Sequence, residues 1–132
     1  MANYVGVPGL IAGADLSAKQ YYAVQGDTSG DREVKAMTNA NAEKPVGILQ
    51  NDPTSGQAAD VAVSGVAKAV YGGTVTRWND LACDNDGALI ADAEVTAQDG
   101  ADLHHIATAL ESGVSGDIRL VLIKPAQIVG LE

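Results

Sequence analysis

The strongest constraint on this chain is a pair of valine runs that can share a face only if the strand slips by one residue. Val61 and Val63 have one parity, Val66 and Val70 the other, with Ser64-Gly65 between them. Successive side chains of a strand point to opposite faces, so an unbroken strand would split the four valines between two sides. A glycine bulge or sharp corner at Ser64-Gly65 restores a common face. These runs belong to a longer stretch, Lys44 to Gly73, that opens with the apolar Pro45-Val46-Gly47-Ile48-Leu49. Asn51-Asp52-Pro53 closes that run and Thr54-Ser55-Gly56 turns the chain. Short β-branched runs between Asp-Pro and Gly punctuation signal strands rather than helices. The stretch reads as a bent, packed β-unit onto which the other strands are laid.

The same patterning predicts strands near residues 18–24, 33–38, 45–50, 59–63, 65–71, 81–84, 88–91, 106–111 and 118–124. Asp84-Asn85-Asp86-Gly87 lies between two apolar runs, and Asp-Gly in that setting is a strong hairpin signal. Ile118 to Ile123 is apolar at both parities and is expected to be a central strand buried on both faces. A single helical turn near Gln98 to Leu103 is the best helix candidate. Residues 1–16 form an N-terminal arm or edge segment, ahead of a β-domain over 17–132. Tyr4, Val5, Val7, Leu10 and Ile11 make that segment too apolar for an idle tail. It is expected either to form a first edge strand or to be mobile until it orders on a partner.

At 132 residues with no Phe and one Trp, the core must come from Val, Leu, Ile and Ala. One domain of this size buries roughly two-thirds of its unfolded surface, enough to fold without disulfides. The composition suits a compact, all-β single domain, a barrel or sandwich of short strands. Seventeen acidic residues against eight basic ones give a net charge of −9. The basic residues are scattered, whereas a phosphate-binding surface needs them clustered; neither nucleic acid nor an anionic membrane is an expected partner. No apolar run reaches the roughly 18 residues of a membrane span. The N-terminus lacks a basic start followed by a long apolar segment, so the chain is expected to stay in the cytoplasm where it is made or to join something assembled there.

No motif carries chemistry. Aligned on Gly87, a calcium loop would need ligands where Ala82 and Ala93 stand. His104-His105 on a strand would point to opposite faces, and two ligands are too few for a metal site. Ser64 and Ser115 precede glycines without completing a nucleophile elbow, and no phosphate-binding glycine loop is present. Cys83, beside acidic Asp84, lacks the positive neighbours that activate a thiolate. Trp78 is either a cap on the core or an interface anchor. No catalytic residue, cofactor or metal is expected.

PVGILQNDPTSGQAADVAVSGVAKAVYGG, followed by Leu81, Asp84, Gly87 and then ALESGVSGDIRLVLI, resembles the small capsid decoration (cement) proteins of tailed bacteriophages. The likeness runs from about Asp15 to Lys124 and rests on structural glycines and apolar alternation. It departs at Trp78-Asn79-Asp80, where a glycine-containing turn is expected, and at His104-His105. The resemblance implies a non-enzymatic virion protein on the outer capsid surface. It further implies a homotrimer at local three-fold positions that clamps neighbouring major capsid subunits and stabilises the expanded head. Tyr4, Val5, Val7, Leu10, Ile11 and Trp78 are the candidate capsid or protomer contacts. A carbohydrate-binding or adhesin-like β-module is the alternative, and it calls for exposed aromatic platforms. A small serine hydrolase is a third.

Overall fold

The computed structural model describes residues 3–38, 45–91 and 103–129, with residues 103–105 and 124–129 taken as backbone alone. Ten strands and no helix are found among them. They are β1 (Asn3–Gly6), β2 (Ile11–Ala12), β3 (Ala23–Gly26), β4 (Glu33–Ala36), β5 (Pro45–Leu49), β6 (Val61–Val70), β7 (Asp80–Cys83), β8 (Leu89–Ala91), β9 (Leu103–Ala109) and β10 (Ile118–Val129). One sheet runs in the order β2-β4-β3-β5-β6-β10-β9-β7-β8, with β1 laid on β6 off that path. The ladder does not close into a regular barrel. One parallel bridge, Tyr71 to Leu89, returns β8 to the end of β6. Five strands thereby wrap a principal core that includes Ile48, Tyr71, Leu81, Leu89, Ile106 and Val121.

The small residues of that core, Ala67, Ala69, Ala107 and Ala109, are fully buried. They let the strands curl tightly around Tyr71 where a phenylalanine-rich core would hold them apart. A second core of Leu16, Val24, Val34, Leu49 and Val61 packs under the other half of the sheet.

β6 is the hub. Its start pairs with β5, its end with β10, and its middle with β1. The two runs expected as separate strands are one strand with the slip inside it. Val61 faces the second core and Ala62 the principal one, yet beyond Gly65 it is Ala67 and Ala69 that face the principal core. The parity has changed, and Gly65 sits at φ +95°. A Cβ there would lie 2.6 Å from the Asn3 carbonyl oxygen and 2.8 Å from the Tyr4 Cα. The four valines do share a side, but it is the outer side beyond Gly65, where Val66 is only half-buried and Lys68 is exposed.

Two sequence expectations are corrected. Residues 18–22 are turns, and strand β3 begins only at Ala23. Tyr21 has φ 72°; its N–H donates to the Leu49 carbonyl (2.6 Å) and its carbonyl accepts from Val70 N–H (2.9 Å). Those backbone groups join the ends of β5 and β6 and cannot also serve a strand. β10 is central in the sheet but buried on one face only, since Val121 and Ile123 are buried while Ile118 and Leu122 are exposed. Of the two forms expected for the N-terminal segment, the structure has the strand: Asn3–Gly6 runs antiparallel to β6, and Ile11–Ala12 parallel to β4. Leu16, just after it, is fully buried. The hairpin at Asp84–Gly87 forms as expected, joining β7 to β8. Its Gly87 carbonyl accepts from Ala23 N–H at 2.8 Å. The helical turn near 98–103 falls almost wholly outside the described residues.

Candidate interaction surface

Trp78 stands on a loop that leaves it nowhere to go but outward. Thr76 N–H donates to Asn79 Oδ1 (2.9 Å) and Arg77 N–H to Ser112 Oγ (2.9 Å). Trp78 N–H donates to the Ala109 carbonyl (2.6 Å), and Asn79 N–H to that of Thr76 (3.0 Å). This clamp ties the loop to the end of β9 and puts Trp78 at φ 71°. Glycine suits that conformation; a bulky residue in it carries strain on the order of 1–3 kcal/mol. The ring gains little at home in return, because Trp78 is 66% exposed. The turn thus has the geometry for which a glycine was expected, and a tryptophan occupies it.

An apolar strip crosses the outer face of the sheet beside this loop. Residues directly opposite on neighbouring strands share a face. Leu122 is opposite Thr108 on β9 and Val66 on β6, Leu120 is opposite Lys68, and Ile118 opposite Val70. Ile118 and Leu122 are exposed, as is Val114 in the preceding loop. Sequence reasoning missed Ile118 and Leu122 because a strand apolar at both parities was taken to be covered on both sides. Their signal was present in the alternation of Val121 and Ile123 with Leu120 and Leu122, but the occupant of each face was not.

A second apolar feature lies across the molecule. Residues 6–10, with Asn51 and residues 58–60, line a cleft of about 320 Å³. Seven of those nine residues are Gly, Ala, Val, Leu or Pro. Asp60 stands at its edge and accepts a short hydrogen bond from the Tyr4 hydroxyl. That carboxylate, aided by partial burial, pushes the Tyr4 phenol up to about 12. The candidate contact residues thus divide. Tyr4 packs against the principal core, and Leu10 against the second. Ile11 is half-buried between Ala58 and β4. Val5 and Val7 are exposed. Trp78 is on a different part of the sheet, its loop tied to β9, with β10 and β6 between that strand and β1 in the strand order.

The remaining polar features are structural in geometry. Asp84 Oδ1 accepts the backbone N–H groups of Asp86 (2.9 Å) and Ala88 (3.0 Å), holding the hairpin tip. Beside it Lys19, Tyr22, Asp86 and Ser115 help line an open polar cleft of about 390 Å³. Lys19 is committed there, donating to the Asp86 carbonyl (3.2 Å) and lying 4.7 Å from the Tyr22 ring centre. Tyr71 donates its hydroxyl to the Glu111 backbone carbonyl (2.6 Å), and burial, with the Glu111 side-chain carboxylate adding to it, pushes its phenol up to about 12. Burial also pushes the Cys83 thiol up to about 12, with Asp84 adding to the effect. It is protonated at neutral pH. His104 and His105 occupy adjacent positions of β9, and their side chains lie outside the described residues. Among the described residues no three His, Cys, Asp or Glu side chains converge, and no helix is long and apolar enough to cross a membrane.

The fold is a single open, all-β sheet wrapped around two cores, with apolar features on its outer surface. No family model matches the chain, and no curated protein matches it in sequence. Among solved structures it is similar to the N-terminal base of the head fibre protein gp8.5 of bacteriophage phi29, at a TM-score of 0.60 and 15% identity. The likeness covers 100% of this chain and 99% of that one. It is a likeness of fold.

Proposed function

We propose that this chain is a structural virion protein of a tailed phage, bound to the outside of the head through the major capsid protein. The observation that carries the proposal is an agreement between independent lines. The sequence resembles phage decoration proteins, and the whole fold, end to end, matches the base by which a phage head fibre is built. Exposed apolar side chains on a protein of net charge −9 fit the same role, since it must stay soluble alone and still bury surface on a partner. No reaction is proposed, and the protein acts by binding. A protein that binds the expanded lattice better than the unexpanded or broken one stabilises the intact head by mass action. Assembly as a homotrimer at local three-fold positions, after synthesis in the host cytoplasm, belongs to this reading. The carbohydrate-binding alternative is less favoured: Tyr71 is buried and Tyr4, Tyr21 and Tyr22 are half-buried, so only Trp78 offers an exposed ring.

The test is to delete the gene and compare purified heads with and without added protein. Heads lacking the chain are expected to lose their DNA at lower temperature and to regain resistance when the purified protein is restored. Heads of unchanged resistance that bind none of the added protein would overturn the proposal.

A further inference from the structure

We infer that copies of this chain join head to tail, with Trp78 of one copy seated in the cleft beside residues 6–10 of the next. The two features need each other. Trp78 is an exposed aromatic held by its loop's hydrogen bonds in a backbone conformation that disfavours it, and such outliers cluster at binding sites and clamps. The cleft, about 320 Å³, is lined mostly by Gly, Ala, Val, Leu and Pro, a surface on which an aromatic ring gains most by leaving water. Along the sheet, β10 and β6 stand between β9, which holds the Trp78 loop, and β1, which leads into the cleft. A knob and a shallow cleft on different parts of one molecule define a heterologous contact, which closes into a ring when the rotation per step allows.

Charge selects a second copy as the occupant. Two chains of −9 repel, so a stable contact must set a basic group of one against an acidic group of the other. Arg77 adjoins Trp78, and Asp60 stands at the cleft. The indole N–H supplies a further donor toward that carboxylate. Val7 and Leu10 of the N-terminal segment then work together with Trp78, not within one subunit but between two. The contact deepens the proposed trimer and rests on the virion reading only for where it is used.

The test is made in solution, without heads, on the purified full chain. Its one tryptophan reports the contact directly. Sedimentation velocity is expected to show concentration-dependent association, with Trp emission moving to shorter wavelength over the same range. Trp78→Ala, and separately Ala58→Arg to fill the cleft, should each weaken association by at least about tenfold while the melting temperature holds. Val7→Asp replaces Ala58→Arg if that variant does not fold. Mixing the Trp78→Ala and cleft-blocked chains restores one good contact per pair, so a heterodimer that grows no further is expected. A wild type that stays monomeric at its highest soluble concentration overturns the inference. Association that survives Trp78→Ala, or a mixture that forms no heterodimer, does the same. Heads that fail to bind a chain that still associates would count against the virion reading and leave this contact standing.

Discussion

Gly65 and Trp78 hold the same kind of backbone conformation, at φ 95° and 71°, and the chain treats them in opposite ways. At Gly65 the absence of a side chain is demanded from inside the fold, because β1 passes so close that a Cβ would overlap backbone atoms of Asn3 and Tyr4. At Trp78 glycine would be the relaxed choice, and the chain carries its largest side chain there instead, facing water. The first position is explained by the domain alone. The second is not, and its strain points to something the domain meets.

The largest expected effect breaks the first half of that contrast. Gly65→Val should destabilise the fold by about 3 kcal/mol or more, combining left-handed strain with backbone overlap. For a chain of this size that lowers the melting temperature by about 10 °C or more. An unchanged thermal transition would remove the close approach of β1 from the account.

A truncation sharpens the same point. Deleting residues 2–11 removes β1 and the start of β2, and with them the packing of Tyr4 and Leu10. A buried aromatic or aliphatic side chain contributes about 1.5–3 kcal/mol, and these two are only partly buried. The truncated chain should therefore melt several degrees lower by calorimetry, contrary to the free-arm expectation of unchanged stability. In that background Gly65→Ala should cost less than in the full chain, because the overlapping atoms are gone; equal costs in both backgrounds would show that φ alone matters at Gly65.

The test of the second half is smaller and of opposite sign. Trp78→Gly relieves the strained conformation, an expected gain of about 1 kcal/mol partly offset by the freedom glycine has when unfolded. The melting temperature should rise by a few degrees while self-association is lost. A fall instead would mean that Trp78 supports the fold and that its exposure misleads.

A separate test, independent of Trp78, lies in pH. Tyr4 and Tyr71 have phenols raised to about 12 from an ordinary 10, so the folded state favours their neutral forms. Their contribution is complete below pH 10 and is lost as pH rises toward 12, because the unfolded chain ionises first. Cys83, raised from 9 to about 12, extends the loss down to pH 9. Chemical denaturation across pH 8–11 should show stability falling above 9. Tyr4→Phe should flatten the slope above pH 10 at little cost near neutrality, because the phenol lies near the surface. A stability independent of pH over that range would contradict the buried Tyr71 and Cys83 environments.

The contrast also shows what the sequence can reveal. The parity break at Ser64-Gly65 was legible because strand periodicity is local, and so was the Asp84–Gly87 hairpin. Residues 18–22 misled because the local pattern does not say that Tyr21 bridges β5 and β6 through its backbone. β10 misled for a related reason: apolar side chains at Ile118 and Leu122 look the same in the sequence whether a core or a partner covers them. The N-terminal segment showed its apolar content but not β6 as its pairing partner. Trp78 was singled out by its residue type and by the missing glycine. That the turn there keeps a glycine-like φ could come only from the structure.

The central claim is that this surface serves on a phage head, and counting tests it most directly. Quantitative mass spectrometry of purified virions made from a genome carrying this gene should find the chain at a fixed ratio to the major capsid protein. A ratio of one to a few capsid subunits is the expected result. The chain at trace level, or absent from particles while abundant in the lysate, would contradict it.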